Sequence, residues 1–592
     1  MRKHHVLIRH LNAVETLGAV QTVCLDKTGT ITRNQMSVLQ IFTGMQTIKV
    51  AEEKFWGPAG PLAPFACEEL EQLLQISVLC NEIEIYQEGG DYVLRGTPTE
   101  GALVHLAILM GLDVTSLRRR YPLLRVNYRS ENRLFMGTLH DDPPAGKLFG
   151  LKGNPLEVLG LCSWHLQDGL KLPLTEEDRQ LIEAENEEMA GQALRVLGVA
   201  CSRGPDESIF DDPDQLVWLG LVGMADPIRE GVGEAIRAFH RAGIDTVMVT
   251  GDQSPTAYAI GRELALSRSD PLEILDATHL AEIEPEMLRA LVKRAQVFAR
   301  VSPAHKLQIV QALQDAGKVV AMTGDGINDG PALKAADVGI AMGRTGTDIA
   351  REVADVVLEK DNLDTLIIAI RDGRTIYLNI RKSVHFFLAT NLSEIMLTFT
   401  AIAVGLGSPL TAAQLLWINL ISDIFPGLAL AMEAPEPDIL ERPPRDPHRP
   451  IFTSADFKRM AFESGAITAG AMGAYGYGLV RSGMGSAMTL GFHSLTTGQL
   501  LHAISCRSET HTIFSRGKLP PNPYLTMALG GSLFMQFLTM VVPGLRSLLG
   551  LAPVGLLDGL VISASALLPL LVNEATKAPP VNGANEAQEM SP

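Results

Sequence analysis

The last third of this chain consists largely of apolar runs long enough to cross a membrane, and that property divides the molecule in two. Between about 380 and 575 charges are sparse, and six stretches reach spanning length: 382–404, 411–432, 459–480, 487–506, 523–544 and 551–573. Inside a bilayer each backbone N–H and C=O must be satisfied within its own segment, so the runs predict helices. The fourth run is the most polar, with His493, Gln499 and His502. Cations mark alternate connections. Arg371, Arg374, Arg381 and Lys382 precede the first run, Arg442, Arg445, Arg449 and Lys458 follow the second, and Arg507, Arg516 and Lys518 follow the fourth. The other connections are poorer in cations, with Arg481 and Arg546 the exceptions. This alternation predicts six spans with both ends cytosolic.

Residues 1 to about 370 read as globular and charged. The net charge of −17 over 592 residues, with no basic stretch to offset it, excludes a nucleic-acid surface. Six scattered cysteines contain no CxxC pair, which fits a reducing compartment. The start, Met1-Arg-Lys-His-His, opens no apolar signal segment, so the chain is expected to begin in the cytosol.

Three short β-prone runs in this part end on the same kind of turn. Gln21–Leu25 leads into Asp26-Lys27-Thr28-Gly29-Thr30, Thr246–Val249 into Thr250-Gly251-Asp252, and Lys318–Met322 into Thr323-Gly324-Asp325-Gly326. Helix-patterned stretches, Gly231–Ala242 and Ala304–Ala316, lie between them. Repeated strand–turn–helix units predict a parallel, doubly wound sheet whose site lies at the carboxyl ends of the strands. About 190 residues separate Asp26 from Asp226-Pro227, far more than a connection can hold, so they form an inserted domain. A carboxylate at a strand end attacks a γ-phosphoryl group when cations balance the spreading charge.

Asp26-Lys27-Thr28-Gly29-Thr30-Ile31-Thr32 resembles the phosphorylation signature of P-type ATPases. Asp226-Pro227, Thr250-Gly251-Asp252 and Thr323-Gly324-Asp325-Gly326-Ile327-Asn328-Asp329-Gly330-Pro331 follow in that family's order. The resemblance implies a HAD-like, Rossmann-like phosphorylation domain with an inserted α+β nucleotide-binding domain, then an all-α bundle of about six transmembrane helices. The expected boundaries are 1–35 and 223–360 for the phosphorylation domain, 36–222 for the insertion, 361–575 for the membrane domain and 576–592 for a disordered cytosolic tail. ATP and Mg2+ are the implied cofactors. Asp26 is the expected nucleophile, and Asp325 shares Mg2+ with it, joined by the Thr28 carbonyl. Lys27, Thr250, Gly251, Asp252, Lys306, Asn328 and Asp329 complete the phosphoryl pocket. Related phosphatases carry an acid/base Asp where this chain has Thr28, so the aspartyl-phosphate is expected to persist.

The nucleotide residues implied by the resemblance are Glu100, Tyr128, Arg133, Lys152, Gly153, Arg195 and Asp226. Tyr128 and Arg133 stand where the family has Phe and Lys, and Asn154 and Leu156 depart from its usual KGAPE. An aromatic face for adenine and a cation for phosphate are retained.

In the membrane part, Asn391 and Glu394 share a helix face, as do Asn419, Ser422 and Asp423. Intramembrane carboxylates mark a functional site by default, and these two groups resemble the cation helices of Ca2+-ATPase-like pumps. Gln499 falls where two-site Ca2+ pumps have a further carboxylate, which fits a single-site Ca2+ or Mn2+ pump or another cation. A bacterial plasma membrane is the expected location, with the lipid bilayer and the transported cation as partners. Family members have four further helices and an actuator domain before the phosphorylation site, so a truncated product, an incomplete gene model or one half of a split pump with a separate N-terminal half is expected. Two other readings stay open: a membrane-tethered phosphatase, and a non-catalytic nucleotide-binding membrane subunit.

Overall fold

The computed structural model describes residues 2–577 except 52–53, 59, 63–66, 89–90, 131–132, 144–145, 205–206, 269–270 and 515–518. Most of the tail expected at 576–592, with Glu131, Asn132, Arg516 and Lys518, lies outside the described residues.

The wholly buried strand Thr22–Asp26 sits in the middle of an eight-stranded sheet, parallel to Asp245–Val249 on one side and Val320–Gly324 on the other. Val297–Ala299 and Ile274–Asp276 extend one wing in parallel; Val338–Met342 and Val356–Leu358 extend the other. Val6–Ile8 closes that second wing as an antiparallel edge. Alternation along the central strand shows why both faces are covered. Val23 and Leu25 pack with Ile236 and Phe239 of helix Val232–Arg241 and with Leu366 and Ile370 of the long C-terminal helix. Cys24 faces the opposite core, with Ile309 and Leu313 of helix Pro303–Asp315. A strand buried on both faces reads as an unbroken apolar run, as QTVCL does.

The chain leaves this sheet through strand Ser37–Thr43 and returns through Leu216–Ala225, which crosses residue 222 and pairs antiparallel with the outgoing strand. Because the two passages are neighbours, a complete second body fits between them. It is an eleven-stranded, largely antiparallel sheet with helices Glu68–Leu79 and Pro98–Leu109 in its core. Between the two bodies the chain crosses itself, with Ile31 and Arg229, and Arg33 and Pro227, joined by backbone hydrogen bonds.

Six long helical passages follow. Asp364–Ala403 runs without a break for 40 residues, from the core of the parallel sheet into the bundle. The second passage, Ala412–Leu430, contains a wide turn at Asn419–Asp423. Ser454–Ser482, Met484–Ser505, Pro523–Val541 and Leu556–Ala575 complete the set. Among the described residues, the first, second, fifth and sixth are apolar enough throughout to qualify as membrane spans by length and composition. The third and fourth are as long but more polar, and they make the most extensive helix–helix contact in the molecule. Polar groups in a bundle face other helices rather than lipid.

Candidate functional site

Asp26 ends its strand buried among charged groups drawn from three neighbouring strand ends. Lys306 Nζ lies 3.1 Å from Asp26 Oδ1 and 2.5 Å from Asp329 Oδ1. The second Asp329 oxygen accepts the backbone N–H groups of Asp325 and Gly326, which fixes the turn after Val320–Gly324. Thr323 Oγ1 accepts the Asp26 N–H at 3.1 Å and donates to the Cys24 carbonyl, locking the two strand ends together. Lys27 reaches sideways to Asp252 at 2.8 Å, and Thr250 Oγ1 accepts the Asp252 N–H. Gly251 and Asn328 lie next to this group, both exposed.

Gly29 has φ +76°, and a Cβ there would stand 1.7 Å from Asp325 Oδ2. The glycine lets the Lys27–Ile31 turn fold down onto Asp325. Oxygens of Asp26, Asp325 and Asp329 all lie within 4.8 Å of one another. Burial is the main force pushing the Asp26 carboxyl up to about 7; Lys306 pulls it back and Asp329 pushes it further. Burial, with Asp329 beside it, likewise raises Asp325 to about 6. Burial alone would lower Lys306, but the flanking Asp26 and Asp329 carboxylates hold it above its ordinary value. Three buried carboxylates against one lysine leave an excess of negative charge, and a hard divalent cation such as Mg2+ fits that donor set.

Three contributors have no counterpart in the sequence reading. Arg229 donates to the Gly29 and Thr32 carbonyls, both at 2.9 Å, and so braces the phosphorylation turn. Asn34 Nδ2 approaches Asp325 Oδ2 at 3.4 Å, and Thr323 carries the strand lock described above. The Asp-Pro-Ile-Arg run held a signal for Arg229, since it returns the chain to the turn it left. Asp226 belongs to the same crossing. It accepts Thr32 Oγ1 at 2.5 Å and the Gln35 N–H at 3.0 Å, which ties it to the joint between the two bodies.

On the insertion, strand register brings the nucleotide candidates to one end of the sheet. Gly153 stands opposite Phe135 and Gly198, and Lys152 opposite Met136 and Val199. Arg195 opens its strand there, exposed, and Tyr128 follows the end of strand Leu123–Asn127 with 60% of its surface accessible. A Cβ on Gly153 would lie 2.4 Å from Phe135 Cα, so this crossing is closed to any larger residue. Arg133 bonds to Asn127 Oδ1 and the Tyr128 carbonyl, with its guanidinium over the Phe135 ring. Lys152 and Glu100 form a buried ion pair, and the Glu82 N–H also approaches Glu100.

In the bundle, Gln499 is the centre of a polar group. Its Nε2 donates to Glu394 Oε1 (3.2 Å), Ser393 Oγ (3.2 Å) and the Thr390 carbonyl (3.1 Å), and its Oε1 accepts from Ser422 (3.2 Å). Asn391 Nδ2 reaches Asp423 Oδ2 at 3.3 Å, while Asp423 Oδ1 is buried with no hydrogen-bond partner among the described residues. The wide turn Asn419–Asp423 turns Ser422 and Asp423 inward; Asn419 stays exposed, its amide on the Leu415 carbonyl.

A parallel sheet ending in a lysine-paired aspartate, an antiparallel insertion and a bundle with helices long and apolar enough to cross a membrane define a HAD-like domain joined to a membrane-type helical bundle. Comparison with known proteins agrees. Residues 69–231 match the family model "P-type ATPase, cytoplasmic domain N", 165–337 that of haloacid dehalogenase-like hydrolases, and 407–578 that of the cation transporting ATPase C-terminus. A calcium-transporting ATPase of Bacillus subtilis is 37% identical over 557 residues, covering 92% of this chain and 61% of its own length. One of Listeria monocytogenes is 36% identical over 584 residues, 98% of this chain and 64% of its own. The cation-transporting ATPase pma1 of Synechocystis is 38% identical over 481 residues, 78% of this chain and 52% of its own. The chain belongs to the P-type ATPases, and it spans less than two thirds of the length of these relatives.

Proposed function

We propose that this chain transfers the γ-phosphoryl group of ATP to Asp26 and so drives transport of a divalent cation, Ca2+ or Mn2+, across a bacterial plasma membrane. The observation that carries the reading is the Asp26–Lys306–Asp329–Asp325 cluster, an attacking carboxylate set between one cation and two further carboxylates. Asp26, Asp325 and the Thr28 carbonyl would hold Mg2+, which when bound neutralises phosphoryl charge and lets both carboxylates ionise together. Lys306 neutralises oxygens of the transferring group from the opposite side. Thr250 offers a hydroxyl and Gly251 a backbone N–H to the same oxygens, and Lys27, held by Asp252, adds positive charge at the rim. Asn328 contributes an amide at the open mouth. No carboxylate at position 28 activates water, so the phosphoenzyme outlives the attack; this opposes a phosphatase.

ATP arrives on the inserted body, where Tyr128 offers an exposed face for adenine, and Lys152, Arg133 and Arg195 supply positive charge beside Gly153. Glu100 positions Lys152 through their ion pair. Asp226, tied to Thr32 and Gln35, sets the joint across which the two bodies meet. The cation is proposed to sit among Glu394, Asp423, Asn391, Ser422 and Gln499. Asp423 Oδ1, buried with no hydrogen-bond partner among the described residues, supports this, since a buried carboxylate oxygen is costly unless something binds it. Asn419 would join from the exposed side. The globular part is taken to be cytosolic, on the charge alternation of the connections. The share of the relatives' length that this chain does not span, on the same or a second polypeptide, would complete the ion path. The test is incubation of the purified chain with γ-labelled ATP and Mg2+. Acid-stable, hydroxylamine-labile label is expected, and none with Asp26→Asn; equal label in both refutes the assignment.

A further inference from the structure

A second group of metal-ligand side chains lies in the bundle, apart from the residues assigned to the cation path. His385 from helix Asp364–Ala403, Glu463 from Ser454–Ser482, and His502 and Cys506 at the end of Met484–Ser505 converge on one point. The ligand atoms of His385, His502 and Cys506 all lie within 4.8 Å of one another. Glu463 Oε2 stands 2.6 Å from His385 Nε2 and 3.7 Å from His502 Nε2, and Cys506 Sγ is 3.3 Å from His502 Nε2. Two imidazoles, a thiol and a carboxylate from three helices are the donor set of a tetrahedral zinc site; the 3.3 and 3.7 Å separations approach the edges of such a tetrahedron, and the 2.6 Å Glu463–His385 hydrogen bond would open when a metal replaces its proton. His385 and Glu394 are nine residues apart on one helix, about 13 Å along its axis, while on helix Met484–Ser505 His502 follows Gln499 by one turn, so this group neighbours the Glu394–Gln499–Asp423 cluster but shares no residue with it.

The surroundings also fit a metal. Glu463 is 5% exposed and His502 2%. Arg459 takes the other Glu463 oxygen, Oε1, at 2.6 Å, and leaves Oε2 facing the histidines. Asn573, fully buried, stands against His502 Nδ1 at 3.5 Å, and its own Oδ1 has no hydrogen-bond partner among the described residues. With that amide turned, Oδ1 accepts the Nδ1–H and the Nε2 lone pair is free for a metal, which is how ligating histidines are usually held. A cavity of ≈ 90 Å³ adjoins the group and is lined also by Lys382, Asp456 and Glu509. Asp456 and Glu509 there are both paired with Arg381, and Lys382 with Glu436.

We propose that His385, Glu463, His502 and Cys506 bind one Zn2+ ion, which releases the Cys506 proton and clamps the first, third and fourth helices of the bundle together. Asn573 is a positioning residue for His502. The test uses the full chain, purified in detergent and stripped of metal, with Co2+ as the spectroscopic stand-in and Zn2+ as competitor. One equivalent of Co2+ should give a thiolate-to-metal charge-transfer band with intense visible bands of tetrahedral coordination, all bleached by one equivalent of Zn2+. Cys506→Ser should lose the charge-transfer band, and His385→Ala, partly exposed and so the mildest change to packing, should weaken Zn2+ binding by more than 10-fold. Asp423→Asn should leave the spectrum unchanged. Each variant is compared at equal helix content by circular dichroism. Absence of the band in the unaltered chain, or its persistence in Cys506→Ser, which would place the metal on another cysteine, overturns the proposal.

Discussion

At the scale of single residues, the two sites differ in what a substitution removes. Gly29→Ala adds one methyl group where φ is +76° and Asp325 Oδ2 would be 1.7 Å away, so either the turn or the carboxylate must move. Left-handed strain on a non-glycine costs of order 1–3 kcal/mol before the clash is counted. The expected outcome is loss of most acid-stable label from ATP with nucleotide affinity unchanged, since the residues proposed to hold the nucleotide lie on the other body; equilibrium binding of a fluorescent ATP analogue separates the two. Lys152 shows a different logic. Its ammonium and the Glu100 carboxylate are both largely buried, at 4% and 13% side-chain exposure. Lys152→Ala strands a buried charge, at a cost of roughly 3–5 kcal/mol, whereas Lys152→Met with Glu100→Gln removes both charges and costs less. Three of the chain's four tryptophans, Trp56, Trp164 and Trp218, belong to the insertion, so its urea unfolding can be followed by fluorescence. The single variant should unfold at the lower urea concentration.

At the scale of elements, the contact that joins the phosphorylation domain to the membrane depends on two glycines. Helix Asn12–Ala19 crosses the long helix Asp364–Ala403 where Gly18 meets Gly373, and a Cβ on Gly373 would lie 2.7 Å from the Val14 carbonyl oxygen. Gly373→Val forces the helices apart at about 1–3 kcal/mol of overpacking. A lower thermal midpoint for the whole chain is expected, with Asp26 still labelled by ATP, because the strand-end geometry does not pass through this contact. The elements also divide by how much of them the sequence discloses. The strand ends at Asp26, Val249 and Gly324 were legible because buried parallel strands are short apolar runs closed by turn residues. The strands Val6–Ile8 and Ile274–Asp276 were not, since three residues carry no period and only their neighbours make them strands. The residues proposed for the ion path stood out in the sequence as polar groups in apolar helices. The central place of Gln499 did not, because it depends on which helix stands opposite; the wide turn at Asn419–Asp423 does have a sequence signal, Pro426, whose ring and missing N–H disturb the bond to residue 422. His385, Glu463, His502 and Cys506 are more than 120 residues apart at their extremes, and only the fold brings them together.

At the scale of the whole molecule, the metal-free protein carries an excess of buried negative charge beside Asp26, and its stability should therefore depend on pH and on Mg2+ together. Burial raises Asp26 from 3.8 to about 7 and Asp325 from 3.8 to about 6. A carboxyl with a raised folded-state pKa holds its proton in the native protein at pH values where the unfolded chain has lost it. The native state then binds more protons between about pH 4 and pH 7, and stability falls as pH rises through that window. Above it both carboxylates are ionised side by side, with Lys306 the one cation in contact with Asp26 and Asp329 among the described residues. A divalent cation that replaces those protons should restore the loss. At about 100 times its Kd, Mg2+ adds about 2.7 kcal/mol by mass action. Competition from protons makes that gain smaller at pH 5 than at pH 8. Thermal unfolding in EDTA should thus show a falling midpoint from pH 5 to pH 8, and Mg2+ should raise the midpoint more at pH 8. In Asp26→Asn, which has no proton to lose at that position, both the fall and the Mg2+ gain should shrink. A pH-independent Mg2+ effect that is equal in the two proteins would show that the ion acts elsewhere.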